Sequence, residues 1–133
     1  MTRKHFIAGL MVAALAAVPF ARAEDAGKED TMKVLRHVVL FRYKDDVTAD
    51  QKAEVLTRFA ALKDQIDVIL TYQGGPNIEA EGLGDGFEHV FCVTFKDEAA
   101  RAEYLPHPAH KKFVEFAGPL LDKATVADFW GEM

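Results

Sequence analysis

The stretch Tyr104-Leu105-Pro106-His107-Pro108-Ala109-His110 puts a phenol and two imidazoles within seven residues, and His37 and His89 each interrupt an apolar run. With Asp128, these are the side chains able to move protons. An imidazole titrates near neutral pH and serves as a general base, a phenol donates to developing negative charge, and a carboxylate orients an imidazole. Each also has a plain structural reading: His37 and His89 as satisfied core histidines, His107 between two prolines as a helix cap or an exposed residue. Tyr104 is then a packing residue with its hydroxyl in water, and Asp128 the partner of Arg36 or another base. Convergence of several such groups, rather than any one of them, points to a site.

Other chemistries lack their signatures. His107 and His110, three apart, would suit zinc, copper, nickel or iron together with His37 or His89, but no thiolate cluster or His-Glu-x-x-His pattern accompanies them, so no metal is expected. Gly82-Leu83-Gly84-Asp85-Gly86 has the wrong spacing for a dinucleotide fingerprint and lies between two strands, which reads as a flexible hairpin loop. There is no nucleophile elbow, Cys–His context or phosphate loop. No cofactor is expected.

The elements that must position these groups follow from the apolar spacing. Lys33 to Lys44 is rich in β-branched and aromatic residues and reads as a long strand ended by Asp45-Asp46. Thr48 and Gln51 form a capping box, and Val55, Leu56, Phe59, Ala60 and Leu62 recur at helical spacing, predicting a helix over roughly Ala49–Lys63. Val68–Gln73 and Phe87–Phe95 read as strands. Asp97 caps a short helix through Leu105, Pro106 stops it, and Pro108 opens a further helix with Phe113, Val114, Phe116 and Ala117 on its apolar face. Ala124–Trp130 is the last strand. The order β-α-β-β-α-β predicts an α+β, ferredoxin-like fold with strand order 4-1-3-2. Reading strands one and three as parallel makes His37 and His89, both near strand starts, close neighbours. Tyr104, His107, His110 and Asp128 are then expected to arrive at that same end.

The chain has 133 residues, half of them apolar, a net charge of −5 and one cysteine, which bounds it to one domain. An acidic balance argues against nucleic acid as a partner. Residues 1–23 contain no acidic residue: Arg3 and Lys4 precede an apolar run from Phe6 to Phe20, and Ala21-Arg22-Ala23 offers small residues for cleavage. This is the pattern of a secretory signal peptide, shorter than the roughly 20 residues that span a bilayer, so no lasting membrane anchor is expected. Removing Arg3, Lys4 and Arg22 leaves 110 residues with 13 basic and 21 acidic side chains, a net charge of −8. A periplasmic or secreted protein with a polar lead-in at 24–32 is expected, and Cys92 alone cannot form an internal disulfide. Both faces of the predicted sheet are apolar while helices cover only one, so the other face is expected to meet a second copy in a homodimer.

Leu35-Arg36-His37-Val38-Val39-Leu40-Phe41, Gly75-x-Asn77, Phe87-Glu88-His89-Val90 and above all Tyr104-x-x-His107-Pro108-x-His110 resemble the stress-responsive dimeric A/B barrel (Dabb) family over roughly Lys33–Trp130. The resemblance implies a dimeric α+β barrel. In that family a polyketide cyclase performs a cofactor-free aldol cyclisation of a linear thioester. By that likeness His110 is the catalytic base and Tyr104 its partner, and His37, His89 and Asp128, with Val39, Phe41, Phe59 and Phe113, bind the substrate. The walls differ from the cyclase: Leu121 replaces a large aromatic, Phe91 a smaller aliphatic, and Val55, Leu56 and Phe59 three aromatics. A different, small apolar or carbonyl-containing ligand is therefore expected. The alternatives are a non-catalytic ligand-binding or stress-protection module and, third, a cofactor-free monooxygenase.

Overall fold

The computed structural model describes residues 30–133. The expected export segment 1–23 and most of the lead-in lie outside the described residues. β1 (Lys33–Tyr43) alternates as its sequence does: Leu35, His37, Val39, Phe41 and Tyr43 are buried on one face, while Arg36, Val38, Leu40 and Arg42 are half-exposed on the other. Helix α1 (Ala49–Gln65) opens on the capping box, with the Thr48 hydroxyl accepting from the Gln51 N–H. It buries Val55, Phe59 and Leu62 at helical spacing. β2 (Ile69–Pro76) and β3 (His89–Phe95) follow, then α2 (Glu98–Tyr104), capped by the Asp97 carboxylate on the Ala100 N–H at 2.9 Å. Helix α3 (Pro108–Ala117), a turn of 3-10 helix (Gly118–Leu120) and β4 (Leu121–Glu132) complete the chain. None of the described helices is long and apolar enough to cross a membrane.

The sheet has the expected order, β2-β3-β1-β4, with every neighbouring pair antiparallel. This corrects the parallel reading of β1 and β3. The α1 crossover returns the chain so that β2 runs in the direction of β1, and the β2–β3 connection then reverses it. The start of β3 therefore lies beside the end of β1: His89 pairs with Phe41, whereas His37 pairs with Val93 on one side and Asp128 on the other. His37 and His89 are thus separated by four residues of strand, about 13 Å.

Two irregularities set which side chains face the helices. In β2 the register shifts between Ile69 and Thr71, so Ile69 and Tyr72 both turn inward despite their odd separation. In β4, Asp122 is an extra residue between Leu121, opposite Tyr43, and Lys123, opposite Arg42. Its carboxylate accepts from Arg42 Nε at 2.7 Å.

The core is an aromatic stack centred on Phe59, whose ring lies 4.2 Å from Phe91 and 4.7 Å from Phe113, between centroids. Phe41 and Tyr72 complete it. Among the described residues no helix lies over the sheet's other face, which carries Val38, Leu40, Val90, Cys92, Ala127 and Phe129, and Phe129 is 52% exposed. The Gly82–Gly86 loop is pinned at its base: the Glu79 carboxylate accepts the N–H groups of Glu81 and Leu83, and Asn77 Nδ2 donates to the Phe87 carbonyl.

Candidate functional site

α2 leaves β3 at the end of the sheet where β1 begins. Its last residue, Tyr104, is only 1% exposed and packs against Phe95. Pro106 breaks the helix, and His107 caps the next one: its Nδ1 accepts the Ala109 N–H at 3.0 Å, with Pro108 in the first turn. That break turns the chain so that His110 comes back against Tyr104, with ring centroids 4.3 Å apart. His110 Nδ1–H donates to the Leu105 carbonyl at 2.9 Å, which leaves Nε2 as an acceptor. The Tyr104 ring also meets the His37 ring edge-on at 5.9 Å.

These three residues form one end of a cavity of about 220 Å³. Val39, Phe41, Phe59 and Phe113 form its floor and back, and Ala117, Gly118, Leu121, Ala124 and Val126 close its side. The mouth is apolar too: Leu105, Val114 and Val126, each about half-exposed, flank it from α2, α3 and β4. Leu121 and Phe59 both shape the cavity. Phe91 and Val55 are fully buried in the core and do not line it, and Leu56 packs against that core.

Electrostatics favour proton transfer at this end. Burial holds the His110 imidazole below its ordinary titration range, against a smaller opposing effect of the Leu105 carbonyl, so the ring is neutral at pH 7. Burial pushes the Tyr104 phenol well up, keeping its proton available for donation. His37 Nδ1–H donates to Asp128 Oδ1 at 2.7 Å. Asp128 lies behind His37 rather than in the cavity wall, and its partners are His37 and Arg101 instead of Arg36, which binds Thr94 and the Glu132 carbonyl.

His107 takes the helix-cap reading. One expected convergence does not occur. His89 sits buried beside the opposite end of β1, where its Nδ1 and the Tyr43 hydroxyl share a hydrogen bond of 2.6 Å. Among the described residues no three His, Cys, Asp or Glu side chains come together to hold a metal. Sequence reasoning missed Arg101 and the residues of the mouth; Arg101 stands one turn before Tyr104 on the same helix face, a spacing that would have found it.

The buried His89 has a measurable consequence. Burial lowers its proton affinity in the folded chain, so the unfolded chain binds more protons once pH falls below the ordinary imidazole value of about 6.5. His89 thus favours folding fully above that pH and progressively less below it. Urea midpoints measured from about pH 7.5 to pH 5 should fall, and fall less steeply in a His89→Asn chain. Equal slopes would show that His89 does not carry the effect.

The family model for the Stress responsive A/B Barrel Domain (Dabb) matches residues 35–131. The stress-response A/B barrel domain-containing protein HS1 of Arabidopsis thaliana is 33% identical over 101 residues, covering 76% of this chain and 93% of that protein. Olivetolic acid cyclase of Cannabis sativa is 24% identical over 95 residues, 71% of this chain and 94% of the cyclase. Among solved structures, a dimeric ferredoxin-like protein of unknown function from Thermobifida fusca superposes with a TM-score of 0.64 at 26% identity, covering 74% of this chain and 91% of that one. With the sheet order and the matched span in agreement, the chain belongs to the stress-responsive A/B barrel (Dabb) family.

Proposed function

We propose that this chain binds a small, largely apolar carbonyl compound and removes a proton from the carbon next to its carbonyl, as a cofactor-free lyase or cyclase. The observation that carries the reading is the stacked His110/Tyr104 pair at the polar end of an apolar cavity, with the His110 tautomer fixed by the Leu105 carbonyl. Neutral Nε2 takes the α-proton, the electron pair moves onto the carbonyl oxygen, and the Tyr104 hydroxyl donates a hydrogen bond to that enolate oxygen. The apolar walls exclude water that would compete for both groups. Olivetolic acid cyclase, a relative by sequence, bears a name consistent with such carbon–carbon bond chemistry. The test is deuterium uptake, followed by NMR in D2O, at the α-carbon of uncharged β-diketones such as nonane-2,4-dione. Enhancement by the parent chain supports the reading. Binding without any enhancement supports the second reading, a ligand-binding module, which is favoured by the fact that only His37, Tyr104 and His110 bring polar side-chain atoms to the wall.

The setting we propose is an exported homodimer, its first 23 residues directing it to the periplasm or medium and its outer sheet face meeting that of a second copy. The dimeric solved neighbour, and an outer face with Val38, Leu40, Val90 and Phe129 over which no described helix packs, support the dimer. Sedimentation of residues 24–133 at micromolar concentration should give twice the chain mass, and Leu40→Lys the single mass with an unchanged circular dichroism spectrum. A monomeric parent would overturn the dimer.

A further inference from the structure

Asp128 is held from both sides. Its Oδ1 accepts from His37 Nδ1 at 2.7 Å, and its Oδ2 accepts from Arg101 Nη1 at 2.6 Å. The three side chains join β1, β4 and α2, and they are sheltered: 8% exposed for His37, 25% for Asp128 and 26% for Arg101. Glu98, one turn before Arg101, approaches the guanidinium only to 3.8 Å. Since His37 lines the cavity and commits Nδ1 to Asp128, the nitrogen it has left for a ligand is Nε2.

The geometry points to Arg101 as a positioning residue: by clamping Asp128 it fixes His37 as the Nδ1–H tautomer and so presents a second acceptor nitrogen, His37 Nε2, to the cavity alongside His110. A carboxylate bound only to His37 would keep one half-buried oxygen without a partner and would be free to turn toward water, releasing the imidazole. A charged, planar donor on the second oxygen removes that freedom. The use to which Nε2 is put, receiving or returning a proton on the substrate, rests on the proposed function; the tautomer itself does not.

The test therefore reads the ring directly. In folded protein carrying ¹⁵N-labelled histidine at about pH 8.5, where imidazoles are neutral, long-range ¹H–¹⁵N spectra assigned with a His37→Asn chain should show His37 Nδ1 protonated and Nε2 unprotonated. In Arg101→Met both signals should move toward the mean of the two tautomers, and Arg101→Lys, which restores a cationic donor, should bring them back toward the parent positions. Arg101→Gln serves if the Met variant does not fold. Parent-like His37 shifts in the folded Met or Gln chain overturn the proposal. The two readings fail separately: absence of deuterium uptake in the parent removes the enzyme reading while leaving the tautomer result, and unchanged shifts remove Arg101's role while leaving His110 as base.

Discussion

A His110→Ala chain, folded and assembled as the parent, should exchange the α-protons of nonane-2,4-dione about 10²–10⁴-fold more slowly, the range lost when a positioned general base is removed. The rate that remains is what His37 Nε2, the other acceptor nitrogen at this end of the cavity, can supply, since Tyr104 is held protonated by burial and acts as a donor. Tyr104→Phe should lose a smaller factor, about 10²–10³, because it removes one hydrogen bond to the developing oxyanion. The pH profile gives an independent check. A base must be neutral to act, and burial moves the His110 transition below the ordinary imidazole value, so the midpoint of the acid-side fall in exchange should lie below about pH 6.5. Exchange in His110→Ala at the parent rate would end the assignment of His110 as base.

The largest effect on stability is expected at Phe59. It is 2% exposed, and its ring contacts Phe41, Tyr72, Phe91 and Phe113, linking α1 to three strands and to α3. Truncation to alanine should cost about 3–5 kcal/mol, the sum of lost transfer energy and the hole left among rings that cannot all relax into it. Urea denaturation reads this as a lowered midpoint, with Phe59→Leu losing less. A loss below about 1 kcal/mol would mean that the neighbouring rings close the gap. The same ring is part of the cavity floor, so a folded Phe59→Leu chain should also accept bulkier diketones.

The elements themselves were legible in the sequence. The capping box at Thr48 and Gln51, the Asp97 cap and the prolines at 106 and 108 are local signals, and local hydrogen bonding decides them. Strand order also followed from the β-α-β-β-α-β pattern. Strand direction is the exception: the alternation of β1 and β3 does not reveal which way each runs, and a crossover followed by a hairpin leaves β3 running against β1, which carries His89 away from His37. The cavity was legible in part. Val39, Phe41, Phe59 and Phe113 could be placed from alternation and helical spacing, but the mouth could not, because Leu105, Val114 and Val126 meet only when α2, α3 and β4 are packed. Boundaries moved most at strand ends. β4 extends to Leu121 and Glu132, beyond the expected Ala124–Trp130, because ladder pairing with β1 continues where side-chain patterning has ceased to show it.

The extra residue in β4 has a bearing on how this protein tolerates change in length. Along a strand, neighbours face opposite ways, so loss of one residue normally sends every side chain on one flank to the wrong surface. In β4 that would exchange cavity wall for outer face, Ala124 and Val126 for Thr125 and Ala127. Asp122 is the exception. Because the bulge already sets it outside the pairing, its deletion would leave Leu121 opposite Tyr43 and Lys123 opposite Arg42, costing the Arg42 ion pair but keeping both surfaces. The strand thus has one position where its length can vary without rewriting either the pocket or the sheet's outer face.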